Sequence, residues 1–321
     1  MTITDPPNKL AIVIPAYKAR FLHKALESIA GQTDKRFTVY VGDDASPDNI
    51  KQICDNFTGR LDLIYTRFNE NLGHKSLVAQ WNRSIEKSSE PWIWLFCDDD
   101  VMEPKCVEMF YKTIDREKDK FRLLRFNTIT IDDAGEIIRT NTPHPQLESG
   151  VQFIYHRLNY NRTSWVSEYI FSREAYKENK GMIDFPIAYC SDDASWLAFS
   201  KGRGIITIQG AQVFWRQSAY NISPSGAKYQ TERLEATFRF VNWLDNFFGI
   251  NETESQDITR DTIRELSKNW FLRQVRGVAP ISFSNFLKTA SYINKITEKG
   301  LIFSYAFIFR INWEFFNKRF G

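Results

Sequence analysis

Short uninterrupted apolar runs alternate with stretches of helical periodicity along the first part of the chain. The apolar runs are LAIVIP at 10–15, FTVYVG at 37–42, LDLIYT at 61–66 and PWIWLF at 91–96, with helical spacing over 21–30, 48–57 and 75–87. Strands covered on both faces read as continuous apolar runs, and a strand–helix–strand series with right-handed crossovers builds a mainly parallel sheet. Pro104 opens a further helix running to about residue 118, since a proline costs little in a first turn. A strand is then expected over 121–131, followed by a hairpin turn at Asp132-Asp133-Ala134-Gly135 that returns through Ile137 and Ile138.

Past residue 141 the pattern loosens. It predicts a strand at 169–171, a short helix at 192–199 opening with carboxylates, and a last strand over 204–214. Helical spacing dominates 229–248 and 258–278, which places a boundary near residue 222. The expected class is α/β: residues 1–222 form a helix-flanked, mainly parallel sheet, and residues 223–321 a helical C-terminal appendage.

Composition narrows the partners. A chain of 321 residues with 43% hydrophobic content buries a substantial core, and a net charge of +3 without a basic recognition tract argues against nucleic acid. Cys54, Cys97, Cys106 and Cys190 show neither a C-x-x-C pair nor zinc-ligand spacing, as expected of reduced thiols in the cytoplasm. Residues 1–9 lack the basic-then-apolar order of a signal peptide and are expected to be a short disordered lead. The longest apolar runs, including 301–309, fall short of the ~20 residues a membrane span needs.

The chemistry concentrates where the runs end. Cys97-Asp98-Asp99-Asp100 follows directly on the apolar run at 92–96, so three carboxylates stand at the carboxyl edge of the sheet, where α/β proteins bind ligands. Adjacent anions repel one another, a hard cation relieves the repulsion, and oxygen ligands favour Mg²⁺ or Mn²⁺, whose usual companion is a diphosphate. Pro15-Ala16-Tyr17 ends the first run with an aromatic face suited to stacking a base, and Asp43-Asp44 ends the second. A carboxylate there would accept the imide N–H of uracil; both aspartates can equally be read as caps of the helix beginning near Asp48. Asn71 and Gly73 fit a loop approaching the nucleotide. Ser191-Asp192-Asp193 opens a helix and offers either an N-terminal cap or a general base.

IVIPAY, VGDDASPD, NENLG and the CDDD run, in that order and spacing, resemble the nucleotide-binding half of a family 2 glycosyltransferase with the GT-A fold. The resemblance is close over about the first 130 residues and continues more weakly to about residue 223. It implies an inverting, metal-dependent transfer of a sugar from a nucleotide donor, most simply UDP-linked, to a saccharide or lipid-linked saccharide acceptor in bacterial surface polysaccharide synthesis. It assigns Asp44 to uracil, Tyr17 to the side of the base, and Asp99 to the metal, with Asp98 or Asp100 beside it. Asp193 becomes the base that takes the acceptor proton, and Asp192 its support. Two positions depart from the family. Cys97 stands where the first aspartate of the D-x-D signature is expected, and Ser218 where many members carry a histidine.

Three further features bear on the site and its setting. Arg216 is placed to reach a phosphate or to pair at the surface, and Trp165 to stack on an acceptor sugar. Residues 282–320 mix aromatic with basic positions, as in an interfacial helix on the inner face of a cell membrane or in a helix packed on the catalytic domain. Two rival readings remain open: a non-catalytic sugar- or nucleotide-binding scaffold, favoured by Cys97 and Ser218, and a sugar-nucleotide pyrophosphorylase, which would want the glycine-rich loop that IVIPAYKARF lacks.

Overall fold

The structure, a computed structural model, describes residues 9–219, 229–250 and 258–320. The first strand, β1 (Leu10–Ala16), is followed by α1 (Leu22–Ala30), β2 (Phe37–Asp43), α2 (Ile50–Asp55), β3 (Leu63–Arg67), α3 (Leu77–Ile85) and β4 (Trp92–Leu95). These strands pair in parallel, as the alternating pattern predicts, and lie in the order β3-β2-β1-β4. Next come β5 (Val101–Met102), α4 (Cys106–Glu117), β6 (Leu123–Ile131) and β7 (Ile137–Thr140), the last two forming the expected hairpin. Then follow β8 (Leu147–Glu148), α5 (Gly150–Leu158), β9 (Tyr169–Ser172), α6 (Arg173–Glu178), α7 (Ser191–Phe199) and β10 (Ile205–Arg216). This half of the sheet is mixed: β9 lies antiparallel between β4 and β6, β10 runs parallel to β6, and β5 closes the edge antiparallel to β10.

Strand alternation divides the core in two. Leu10, Ile12 and Ile14 pack with α1, α2 and α4 on one face, and Ala11 and Val13 pack with α3, α5 and α7 on the other. The second core continues without a break into α8 (Gln230–Ile250), α9 (Arg260–Gly277), α10 (Phe283–Thr297) and α11 (Leu301–Phe320). The C-terminal helices therefore share this core, reaching it through contacts of α8 with α7 and of α9 with α5. The expected boundary near residue 222, like residues 1–8 of the expected lead at 1–9, lies outside the described residues.

Two local features position the site. The chain leaves β4 at the centre of the sheet and re-enters as β5 beside β10, so residues 96–100 link strands that are not neighbours. On the other side, the approach to α7 carries left-handed backbone at Ile187, Ala188 and Cys190, whose φ values are 53°, 57° and 65°. Strain of this kind in non-glycine residues persists where the surroundings over-determine it, commonly beside functional groups.

Candidate active site

A cavity of about 480 Å³ opens at the carboxyl edge of the sheet, and Pro15, Cys97, Asp98, Asp99, Trp165, Asp192 and Asp193 all line it. The two acidic segments that the sequence singles out, 93 residues apart at Asp99 and Asp192, thus face one space. A smaller cavity of about 180 Å³, lined by Lys18, Arg20, Phe21, Asp48, Asp98 and Asp99, adjoins through Lys18, Asp98 and Asp99.

The aspartates of the β4 loop play three different parts. Asp98 Oδ2 accepts the N–H groups of Tyr17 (3.2 Å) and Lys18 (3.3 Å), tying the loop after β1 to the loop after β4. Burial, followed by the charges of Asp100 and Asp98, pushes the Asp99 carboxyl up to about 8. Asp100 is 1% exposed and pushed up to about 7, chiefly by burial; its Oδ1 accepts the Arg216 N–H at 2.8 Å while its Oδ2 has no partner. Cys97 Sγ, one oxygen of Asp99 and one of Asp100 all lie within 4.8 Å of one another. This set, with a buried oxygen left unpaired, fits a divalent cation.

Arg216 requires a correction. It is 1% exposed, and its guanidinium donates to the backbone carbonyls of Asp99 (2.8 Å) and Asp132 (2.5 Å) while lying over the Phe21 ring. Instead of lying at the surface it braces the acidic loop, because a buried guanidinium donates to the backbone carbonyls within its reach.

The nucleoside-side residues divide similarly. Asp43 is fully buried, with its carboxylate accepting from Ser46 N–H (2.8 Å), Tyr65 Oη (2.5 Å) and Arg67 Nη1 (2.7 Å), so it supports the loop from within. Ala16 is also buried and serves through its carbonyl, which accepts Asp44 N–H at 2.9 Å. Asp44 accepts Leu72 N–H (2.7 Å), Gly73 N–H (2.9 Å) and Arg83, holding the loop that contains Asn71. A Cβ at Gly73 would stand 2.6 Å from Asp44 Oδ2, so only glycine permits this approach. Asn71 Oδ1 caps its own turn by accepting His74 N–H at 2.9 Å. Tyr17 is 38% exposed beside these groups.

Across the cavity, Arg157 of α5 grips Asp193. Its Nε lies 2.9 and 3.1 Å from the two carboxylate oxygens and its Nη2 2.8 Å from Oδ2, which leaves Oδ1 one lone pair to spare. Asp192 is half-buried and pushed up to about 7 by burial and by the charge of Asp193. Trp165 stacks on Trp215 with centroids 4.5 Å apart, so this pair, and not Trp165 alone, forms an aromatic wall. The C-terminal helices supply Arg233, Trp270 and Gln274 to the opposite side, where Gln274 bonds Tyr160 Oη at 2.7 Å and Tyr189 Oη at 2.6 Å.

Arg157, Trp215, Arg233 and Gln274 escape sequence reasoning. Each is an ordinary helix or strand residue whose partner is distant in the chain. Only α5 itself carried a usable signal, the Ser149–Gln152 capping box at its start.

The sequence profile of Glycosyl transferase family 2 matches residues 11–200, more than half of the chain. The chain belongs to this family. Among curated proteins it is similar to the glycosyltransferases GlyA (32% identity over 108 residues) and GlyG (27% over 111 residues) of Streptococcus pneumoniae serotype 4. Those matches span 33% and 34% of this chain but only 15% and 36% of the two proteins. Among solved structures it resembles residues 1–349 of Staphylococcus aureus TarS in complex with UDP-GlcNAc. The TM-score is 0.68 at 14% identity, over 95% of this chain and 89% of that one. The mannosyltransferase PcManGT of Pyrobaculum calidifontis, in complex with GDP-Man and Mn²⁺, matches with a TM-score of 0.54 at 13% identity, over 94% and 87% of the two chains. The architecture is the GT-A type that the sequence led one to expect.

Proposed function

We infer that this glycosyltransferase moves a sugar from a nucleoside diphosphate, most simply UDP, to an acceptor hydroxyl with inversion at the anomeric carbon. The observation that carries the reading is the single cavity joining the acidic loop at Asp98–Asp99 to the Asp192–Asp193 pair. A donor needs the first, an acceptor the second, and inversion needs them on opposite sides of one carbon. The structural neighbours in complex with UDP-GlcNAc and with GDP-Man and Mn²⁺ support this donor class.

Tyr17 and Asp44 hold the nucleoside, and Asp44 keeps the Asn71–Gly73 loop beside it. Asp99 and Asp100, with Cys97 at hand, would hold Mg²⁺ or Mn²⁺, whose charge offsets the negative charge gathering on a leaving diphosphate. Asp193 receives the acceptor proton on the lone pair of Oδ1 that Arg157 leaves open. The acceptor hydroxyl acidifies as its oxygen bonds to carbon, so an arginine-paired carboxylate suffices late in the step. Asp192, held near neutrality in its protonation, supports the pair. The Trp165–Trp215 wall suits the apolar face of an acceptor sugar, in keeping with a role in surface polysaccharide assembly.

The C-terminal helices support peripheral contact with an anionic membrane. Phe283, Leu287, Ile302, Phe309, Trp313 and Phe316 are exposed around α10 and α11, next to Lys288 and Arg310. Among the described residues no helix is long and apolar enough to cross a membrane. The test of the activity is release of nucleoside diphosphate from a panel of UDP- and GDP-sugars by the purified chain with Mn²⁺. Donor binding without any release would leave the scaffold reading in its place, and neither binding nor release of any donor would overturn the transferase reading outright.

A further inference from the structure

The two departures from the family sit at one place in the chemistry. Cys97 replaces the first carboxylate of the signature and Ser218 stands where a histidine is common, which from sequence alone reads as a weakened metal site. The geometry shows a substitution of ligand type. Cys97 Sγ falls in the same 4.8 Å group as the oxygens of Asp99 and Asp100. A second, independent observation points to a cation there: although the Ser167 hydroxyl and the Arg216 charge act on the Asp100 carboxyl, its Oδ2 is buried and makes no hydrogen bond, an arrangement that costs free energy and that a cation would relieve. The thiol is also set apart from the other three. Cys54 and Cys106 are buried away from the cavity and Cys190, though it lines the cavity, is buried, whereas Cys97 is half-buried on its wall.

We propose that Cys97 is a metal ligand and that the centre is a mixed thiolate–carboxylate site preferring Mn²⁺, Co²⁺ or Zn²⁺ over Mg²⁺. Mg²⁺ is hard and demands oxygen ligands, and a sulfur in its coordination sphere weakens it; the borderline ions accept sulfur and carboxylate together. On binding, the metal–sulfur bond replaces the S–H bond and the proton leaves to solvent. Once the sulfur has lost its proton, the divalent ion brings a thiolate and two carboxylates from a charge of about −3 to about −1; in the metal-free chain the proton stays on sulfur and the site carries about −2 at most. The proposal rests on the acidic loop being the metal site of the proposed transferase, but a metal–sulfur bond can be read without any transfer.

The test titrates Co²⁺ into the reduced full-length chain and follows the near-ultraviolet thiolate-to-cobalt charge-transfer absorption. The parent should develop the band, and Cys97→Ser should lose it while melting at the same temperature. In competition with Co²⁺, Zn²⁺ should bind Cys97→Ser at least about tenfold more weakly. Cys97→Asp, which also guards against a serine variant that folds poorly, should lose the band and gain affinity for Mg²⁺. Absence of the band in the parent would overturn the proposal, as would its persistence in Cys97→Ser or an unchanged metal preference in both variants. If donor binding by the parent still depends on a divalent ion in such a case, the transferase reading stands and only the sulfur ligand falls.

Discussion

Replacing Asp193 with asparagine separates a catalytic carboxylate from a structural one. The Asp193 and Arg157 side chains are 8% and 26% exposed and share a two-pronged contact, so the change leaves a largely buried guanidinium without its counter-ion. Breaking one side of such a pair costs ~3–5 kcal/mol. Asparagine keeps the shape and one accepting oxygen, which places the loss near the lower end, ~3 kcal/mol. At ~2–4 °C per kcal/mol, the melting temperature should fall by roughly 6–12 °C. Transfer should fall by ~10²- to 10⁴-fold, the usual effect of removing a general base, with UDP affinity nearly unchanged because the nucleoside groups lie elsewhere. Arg157→Lys completes the design: it keeps the charge but loses the fork, so transfer should drop with a smaller loss of stability. The assays are thermal melting, UDP calorimetry and transfer rate on the same preparations. An Asp193→Asn protein that melts lower yet transfers near the parent rate would refute the reasoning and make Asp193 a partner of Arg157 only, with Asp192 as the base.

Gly73→Ala should cost ~1–3 kcal/mol and weaken UDP binding together, since the added Cβ pushes on the Asp44 carboxylate; unchanged UDP affinity by calorimetry would remove Asp44 from the nucleoside site. Asp99 and Asp100, raised to about 8 and about 7, hold protons in the folded chain that the unfolded chain releases near about pH 4. Their contribution to stability is therefore full below about pH 4 and is lost as pH rises to about 8. Denaturant midpoints of the metal-free protein should fall across that window and recover with Mn²⁺, and a rising trend would contradict the burial argument. Ile302→Glu and Phe309→Glu should abolish co-sedimentation with anionic vesicles at low salt while leaving donor binding intact; retained sedimentation would assign that face to another partner.

The sheet was legible because its central strands are covered on both faces and so read as unbroken apolar runs, as at β1 and β4. The antiparallel insertion of β9 and the two-residue β5 and β8 were not, since their position depends on which distant strand offers a free edge. The acidic loop was legible for a similar reason: no apolar context explains three carboxylates after a buried strand. The bracing part of Arg216 was not legible, because a basic residue near an acidic loop reads as a phosphate ligand or a surface charge and its 1% exposure shows only in the fold. Nor was the inward turn of Asp43, a strand-end carboxylate that meets Tyr65 and Arg67. Burial decides both cases, and burial of a single polar residue leaves no trace in local sequence.

The cavity has walls of two origins. Pro15, Asp98, Asp99 and the Asp192–Asp193 pair fall inside the 11–200 segment that the family profile covers, while Trp215, Arg233, Trp270 and Gln274 come from beyond it. The family profile thus covers one wall of the cavity and not the other, while the likeness to TarS extends over 95% of the chain. On the proposed roles, a change at Arg233, Trp270 or Gln274 of α8 and α9 should alter the choice of acceptor and leave the donor groups at Asp98 and Asp99 in place, so a graft of those two helices from a relative is the unit to exchange.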